Sequence, residues 1–277
     1  MIISVDFYAS FGFFKKPDIN DTIFLTYNWI HKPVVLGIFG AILGLSGHKR
    51  EGILPEYYEK LKNLRIGIQP ITFDKNNSEK DIRKYHKNKG NFEKIIVKYN
   101  DATGISGGGA TLNVVEQILV KPAYRIYIEI NESNDLQKEL REKLRKVESI
   151  FIPYFGKNEF HCWWNDYKEY KDYRESKEVS NNFKLITIFS KPDGKTLKEL
   201  KKALAFGFLQ GLKEPVEEAF TIFERLPVGF DTKLNQYSEL QEFVYTNITF
   251  DKKKFPFEDN FKEIKHEEGK GYVIYLF

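Results

Sequence analysis

The sequence predicts an α+β fold, and three patterns carry that prediction. Short runs of alternating or β-branched apolar residues predict several strands, the first over residues 1–7. An uncharged apolar run that follows Pro33 predicts one helix, and an amphipathic stretch over 136–147, preceded by capping residues, predicts another. The resulting order is strand, helix, strands, helix, strand, which is the ferredoxin-like plan shared by RNA-recognition modules.

The segment after the first strand, residues 11–17 with the sequence FGFFKKP, breaks the alternation and predicts a loop beside the sheet. Its aromatic residues can stack on a base while Lys15 and Lys16 hold a phosphate, as in proteins that bind single-stranded RNA. The alternative is that the aromatic rings are tucked into the core, and it carries about equal weight for any one of them.

The helix predicted over residues 34–45 has a stripe of glycines. Gly37, Gly40, Gly44 and Gly47 recur at steps of three, four and three, which places them on one helical face. Each glycine costs a helix about 1 kcal/mol relative to alanine, so the stripe needs a physical reason. Close packing of the helix is the favoured reason, and close approach of a nucleic-acid backbone is the alternative.

The rest of the chain supplies further strands and a short helix. Strands are predicted over 64–73, 94–99, 111–119, 124–130, 183–189, 243–250 and 271–277, and the short helix over 55–61. The aromatic-rich residues 154–173 predict irregular structure. A second, smaller unit begins near residue 182, so we predict a domain over 1–181 and a strand-rich α+β domain over 182–277.

Residues 74–98 form a basic insertion between two predicted strands. They hold eight Lys or Arg against four Asp or Glu, a net charge of +4. This equals the formal net charge of all 277 residues. The first twenty residues of this stretch lack apolar periodicity, which predicts a projecting thumb. Its sizeable apolar anchors are Ile82, Tyr85 and Phe92, and we expect one or more of them to pack on a partner or against a displaced base. An ordinary solvated loop is the alternative.

Composition excludes several classes of function. The single cysteine, Cys162, allows no internal disulfide, and the five histidines lack the spacing of a metal site. We therefore expect neither metal nor cofactor. No signal peptide or membrane span is visible, which predicts a cytoplasmic protein without membrane contact.

Four segments, taken in order, carry a family resemblance. They are residues 11–17, residues 27–47 with the pattern P-x-x-x-G-x-x-G-A-x-x-G-L, residues 123–128 (AYRIYI) and residues 152–156 (IPYFG). Together they resemble family five of the CRISPR-associated (Cas) proteins. Members of that family cap the 5′ handle of the guide RNA (crRNA) in type I Cascade complexes, and the likeness leans toward the I-B group.

The resemblance implies a non-catalytic subunit for antiviral defence that binds crRNA and contacts the large and backbone subunits. Target DNA would be met only through the assembled complex. The candidate RNA-binding residues are cations and glycines around the striped helix, together with cations of the thumb. They are Lys15, Lys16, Lys32, Gly37, Gly40, Gly44, Lys49, Arg50, Lys80, Arg83, Lys84, Lys87 and Lys89.

Two alternatives stay open. Some relatives cleave precursor crRNA without metal, using Tyr, Lys and His side chains, and the best candidates here are Tyr27, His31 and Lys32. His48 and Lys49 come next. The second alternative is a scaffolding subunit that bridges proteins without binding RNA.

Overall fold

The computed structural model confirms an α+β chain in which strands predominate. It describes residues 1–17, 22–72, 89–101, 112–191, 220–233, 236–255, 259–265 and 271–277. The elements of the first part are β1 (Ile2–Ala9), β2 (Phe11–Gly12), α1 (Lys32–Leu43), α2 (Glu56–Leu61), β3 (Ile66–Pro70), β4 (Lys94–Asp101), β5 (Leu112–Val120), β6 (Ala123–Glu129), α3 (Asp135–Lys146), β7 (Cys162–Tyr170) and β8 (Tyr173–Glu175).

A four-stranded antiparallel sheet organises this part, with the strand order β3-β6-β1-β7. Because β1 is antiparallel to β6 and β6 is antiparallel to β3, the connection from β1 through α1 to β3 is a crossover. The connection from β6 through α3 to β7 is a second crossover. Ile3, Val5 and Phe7 of β1 face α1 and α3 in one apolar core.

Local sequence explains how the two long helices begin and end. Pro33 occupies the first turn of α1, where its missing N–H costs nothing, and the helix ends at Gly44 with a left-handed φ of 74°. In α3 the side chain of Asn134 accepts a hydrogen bond of 3.1 Å from the backbone N–H of Gln137, which makes Asn134 the N-cap.

A second sheet, with the order β2-β5-β4, stands beside the first. Its long hairpin of β4 and β5 is inserted between β3 and β6 and pairs from Lys94 with Leu119 to Asp101 with Leu112. The predicted strand over 94–99 is therefore correct. The residues 11–17 predicted as a loop instead begin with the short strand β2, which pairs with the end of β5.

Beyond residue 181 the described residues lie largely in strands. They are β9 (Asn182–Lys184), β10 (Phe189–Ser190), β11 (Thr221–Asp231), β12 (Gln236–Thr246), β13 (Thr249–Asp251), β14 (Phe261–Lys265) and β15 (Gly271–Tyr275). Val179 and Phe183, on either side of the predicted boundary, lie in the same apolar cluster as β1. The division into two domains stays a prediction.

The prediction of irregular structure over 154–173 is wrong for its second half, where β7 covers Cys162–Tyr170. β7 is an edge strand of the central sheet, where Trp164 faces the core and its indole N–H donates to the carbonyl of Leu144 over 3.0 Å. A register shift between Ser4 and Asp6, with Asp166 at a φ of 58°, interrupts the alternation on which strand prediction depends.

No helix in the described ranges has the length and apolar character that would let it cross a membrane.

Candidate nucleic-acid interface

The four sequence segments that carry the family resemblance meet at one place in the fold. Phe14, Tyr124 and Phe155 come from three of them, and their ring centroids lie 5.7 to 6.2 Å apart. The hydroxyl of Tyr124 donates to the carbonyl of Asn28, in the fourth segment, over 2.7 Å. All three rings are buried. The segments therefore build a common interior frame.

Backbone contacts tighten this frame. The N–H of Phe13 donates to the carbonyl of Phe155 over 3.0 Å, and the N–H of Tyr27 donates to the carbonyl of Phe14 over 2.8 Å. Gly156 has a φ of 86°, and a Cβ at that position would lie 1.8 Å from the carbonyl oxygen of Phe13. A glycine is required there by both the backbone angle and the close approach of a second chain segment.

The glycine stripe of α1 faces protein side chains. A Cβ on Gly37 or Gly40 would meet the side chain of Tyr57 in α2, and a Cβ on Gly44 would meet Ile150. The helix ends before Gly47, so the stripe is shorter than predicted. Close packing thus accounts for Gly40 and Gly44, whereas a Cβ on Gly37 would make only an ordinary contact of 3.7 Å with Tyr57. The interpretation of Gly37, Gly40 and Gly44 as open backbone for RNA is corrected, because the side chains of Tyr57 and Ile150 lie over them.

The aromatic residues of the 11–17 segment point mostly inward. Phe13 and Phe14 are buried, whereas Phe11 is 40% exposed and lies 6.0 Å from the ring of Phe160. The core interpretation is therefore correct for two of the three phenylalanines.

Four predicted cations keep part or all of their side chains at the surface. Lys15 is exposed, with its ammonium 4.0 Å from the centroid of the Phe24 ring. Lys16 is half-buried, and its ammonium lies 3.7 Å from the carboxylate of Glu224. Lys49 and Arg50 are exposed in the segment that follows α1. Together with the half-buried Lys89, these four are the described members of the predicted RNA surface whose charge can reach a phosphate.

Lys32 is turned toward the interior. Its ammonium donates to the backbone carbonyl of Phe277 over 2.9 Å, and burial, with the nearby Arg65, lowers its pKa from 10.5 to about 8. Its assignment to the RNA surface is corrected for this reason.

The alternative catalytic set of Tyr27, His31 and Lys32 is brought together, but inside the protein. The rings of Tyr27 and His31 are buried with centroids 5.6 Å apart, and Tyr237 covers His31 at 4.5 Å. Burial lowers the pKa of His31 from 6.5 to about 3. In the described part of the chain neither ring nitrogen of His31 has a hydrogen-bond partner. The three residues contribute to interior packing and do not line an open active site.

Most of the predicted thumb lies outside the described residues, including Lys80, Arg83, Lys84, Lys87, Ile82 and Tyr85. Lys89 and Gly90 form a turn shortly before β4. Phe92 is buried and lies 5.2 Å from the ring of Tyr124, so Phe92 itself is not available as an anchor for a partner or a displaced base. It fixes the end of the insertion to the frame of the protein.

The face of the central sheet opposite α1 and α3 is partly covered by the chain's own last strands. Ile2 and Tyr127 of the sheet pack there with Ile264, Ile274 and Leu276. RNA-recognition modules stack bases on an open sheet face. The covered part of this sheet is not available for that mode of binding.

Sequence reasoning missed a polar cluster beside Lys16. Asn28, Glu224 and Lys94 meet there, although 196 positions separate Asn28 from Glu224. The signal in the sequence was Asn28, which stands between Tyr27 and Trp29. A buried amide must find hydrogen-bond partners, so an asparagine between two large aromatic residues indicates a polar cluster. Among the described residues, no group of three or more His, Cys, Asp or Glu side chains is placed to hold a metal ion.

Comparisons with known proteins give a likeness only at the level of solved structures. No protein-family model matches the chain, and no curated protein matches it. A crystal structure of a CRISPR protein from Archaeoglobus fulgidus is 14% identical with a TM-score of 0.43, and the match covers 99% of each chain.

Two further solved structures are also CRISPR proteins. A chain of a CRISPR RNA-guided surveillance complex is 13% identical with a TM-score of 0.45, covering 94% of this chain and 95% of the other. A chain of a type III-B Cmr-beta complex bound to cognate target RNA and AMPPnP is 11% identical with a TM-score of 0.47, covering 91% and 86%. The function proposed below rests on the residues of this chain.

Proposed function

We propose that this protein is a family-five Cas subunit of the I-B-like group, which binds the 5′ handle of the crRNA in a type I surveillance complex. The observation that carries the proposal is the convergence of the four resembling segments. They are spread over residues 11–156, yet their aromatic rings and backbone groups build one frame. A chance set of short matches has no reason to meet in space.

The topology supports a ferredoxin-like assignment for the first part of the chain. The strand order β3-β6-β1-β7 and the two helical crossovers are those of a split βαβ unit. The insertion between β3 and β6 then corresponds to the predicted thumb. We retain the domain over 1–181 and the smaller domain over 182–277 as part of this proposal.

The proposed RNA surface consists of Lys15, Lys16, Lys49 and Arg50, together with the cations of the insertion. Gly37, Gly40, Gly44 and Lys32 are left out because protein atoms occupy the space around them. Lysine and arginine contacts to phosphates position a nucleic acid and make its affinity depend on salt. The proposed protein partners are the large and backbone subunits, in the cytoplasm, and target DNA is reached through the assembled complex.

A binding experiment tests the proposal. The purified protein is titrated with repeat RNA from the CRISPR array of the same genome, at several salt concentrations and without added metal. Replacing Lys15, Lys16, Lys49 and Arg50 by alanine should weaken binding and reduce the salt slope by about 0.7 for each phosphate that is no longer bound. Analysis of the RNA on a denaturing gel reports any cleavage.

The matched control replaces Lys171, Lys177, Lys184 and Lys253, four exposed lysines elsewhere in the chain, by alanine. This variant has the same net charge and should bind RNA more tightly than the first. Equal affinity and equal salt slope for the two variants would show that the surface is misplaced. Absence of salt-dependent RNA binding by the unaltered protein would favour the scaffolding alternative.

A further inference from the structure

Two lysines from distant parts of the sequence converge on the polar cluster at Asn28. The ammonium of Lys94, at the start of β4, donates to the side-chain oxygen Oδ1 of Asn28 over 3.0 Å. The ammonium of Lys16 lies 3.7 Å from Oε1 of Glu224, and that carboxylate oxygen accepts the backbone N–H of Asn28 over 2.9 Å. Both positive charges are therefore held around one asparagine.

The groups that hold these lysines are fixed by buried hydrogen bonds. The second carboxylate oxygen of Glu224 accepts the backbone N–H of Asn28 over 3.1 Å and that of Trp29 over 3.0 Å. The side-chain amide of Asn28 and the indole of Trp29 donate to the carbonyl of Gly90 over 2.8 and 2.7 Å. The cluster thus links the loop before α1 to the end of the basic insertion and to β11.

The charges in the cluster do not cancel. Glu224 is a single carboxylate between two ammonium groups. Burial raises its pKa, whereas the backbone N–H groups and Lys16 favour its ionised form. The ammonium of Lys94 is held by neutral oxygens, those of Asn28, Asn91 and Phe92 at 3.0 to 3.5 Å. Within the described ranges Lys94 has no ion pair, so the cluster has one uncompensated positive charge.

One uncompensated positive charge at a partly exposed site suits one phosphodiester. The side chain of Lys16 is 27% exposed and Lys94 is half-buried, so both residues are partly accessible to solvent. The contacts of the Lys94 ammonium with Asn91 at 3.5 Å and Phe92 at 3.4 Å are long, and a phosphate oxygen can replace one of them. An ammonium is a point charge with three donors, and two of them on a fixed frame can hold the two free oxygens of a phosphate. A carboxylate ligand would carry the same charge, but Lys15 and Lys89, which lie next to Lys16 and Gly90 in the sequence, favour a polyanion.

We propose that Lys16 and Lys94 together bind a single phosphate of single-stranded RNA at the base of the basic insertion. This inference rests on the proposed RNA-binding function and adds to it a residue, Lys94, and a stoichiometry of two lysines for one phosphate. Asn28 and Glu224 hold the two ammonium groups in place.

A scan with neutral linkages tests this arrangement. Each phosphodiester of the repeat RNA is replaced in turn by a methylphosphonate, which removes one negative charge. These RNAs are titrated against the unaltered protein, Lys16→Gln, Lys94→Gln and the double variant, with Lys184→Gln as the control at an exposed position on β9. Thermal melting of every variant checks that it is folded, and Lys94→Arg, which keeps the charge, replaces Lys94→Gln if that variant melts early.

The expected result is one linkage whose neutralisation weakens binding to the unaltered protein about fivefold or more. The same replacement should cost less with either glutamine variant, because one of the two charges that hold the phosphate is gone, and it should cost nothing further with the double variant. The salt slope of the double variant should fall by the equivalent of about one phosphate and not by two, and that of either single variant should fall by no more than this. If Lys94→Arg is used in place of the glutamine variant, it should keep the sensitivity to that linkage.

The shared phosphate would be overturned if RNA still binds but the Lys16 and Lys94 variants lose sensitivity to different linkages, or to no linkage. The proposed function would stand in that case. An unaltered protein that shows no salt-dependent binding to the repeat RNA would overturn both.

Discussion

Lys16 and Lys32 are the same residue type, sixteen positions apart, yet the fold gives their charges different surroundings. The ammonium of Lys16 lies at a partly exposed cluster beside Glu224, whereas that of Lys32 is bound to the carbonyl of Phe277. The free energy of burying an ammonium depends on such partners, and the pKa of Lys32 falls to about 8 mainly because of burial. Residue type alone therefore does not identify an RNA contact.

His31 gives a prediction for the pH dependence of stability. Its pKa is about 3 in the folded chain, against 6.5 for a histidine exposed to water, so the unfolded chain binds an extra proton between these values. Stability is therefore lost as the pH falls from 6.5 toward 3. The loss from this residue is about 2 kcal/mol at pH 5.

The His31→Leu variant removes this titration while keeping an apolar group in the same space. Its free energy of unfolding, measured by urea denaturation, should fall less between pH 7 and pH 5 than that of the unaltered protein. Asp6 and Glu224, whose pKa values are raised, titrate in both proteins and cancel in the comparison. Parallel pH curves for the two proteins would contradict a buried neutral His31.

At the scale of the element, the contact between α1 and α2 explains why glycines are needed at particular steps. A Cβ on Gly40 would lie 2.4 Å from the Cβ of Tyr57, but a Cβ on Gly37 would lie 3.7 Å from the tyrosine ring, an ordinary contact. The close approach of α1 and α2 therefore requires a glycine at position 40 and does not require one at position 37.

We predict opposite effects for two matched substitutions in α1. Gly40→Ala should lower the free energy of unfolding by about 1–3 kcal/mol, because the added methyl group forces Tyr57 to shift. Gly37→Ala should be neutral or should raise it by up to about 1 kcal/mol, since alanine favours a helix. Urea denaturation of both variants measures the difference.

RNA affinity supplies a second measurement on the same pair. If the glycines serve packing, Gly37→Ala should bind repeat RNA as the unaltered protein does. A loss of RNA binding by Gly37→Ala with unchanged stability would restore the idea that a nucleic-acid backbone approaches this face.

At the scale of the whole molecule, exposed apolar side chains are concentrated in one segment, which we name the 147–154 ridge. It contains Val147, Ile150, Phe151, Ile152 and Tyr154, which are 40 to 65% exposed. The backbone N–H groups of Ile150 and Phe151 donate to the carbonyls of Ile42 and Ala41 at the end of α1. A fixed apolar ridge of this kind is typical of a surface that another protein covers.

The double variant Phe151→Ser and Ile152→Ser should change the free energy of unfolding by no more than about 0.5 kcal/mol, because both side chains are mostly exposed already. It should aggregate less when purified alone and should assemble poorly with the co-expressed large and backbone subunits. Gel filtration of the co-expressed complex measures assembly.

Phe223→Ser is the matched control, since Phe223 on β11 is 49% exposed and lies outside the ridge. It should assemble as the unaltered protein does. If the ridge variant and the control assembled equally well, the ridge would not be a subunit contact.

Local sequence patterns were enough to predict most of the elements and their order. Helix α3, the start of α1 at Pro33 and the strands β4 and β6 follow from periodicity and capping within a few residues, although the sequence offers three capping candidates over 133–135 and the structure selects Asn134. The sequence also supplied the ordered segments that resemble the Cas family. These signals can be read in advance because the interactions that produce them are close in sequence.

Which of the predicted site residues face outward depends on the tertiary fold. It placed Phe92 and His31 inside, covered the glycines with Tyr57 and Ile150, and made a sheet edge of β7 despite its interrupted alternation. It also set Glu224 against Asn28 across 196 positions. The physical reason is that burial and charge compensation depend on contacts between distant segments, and no local pattern specifies which segments will meet.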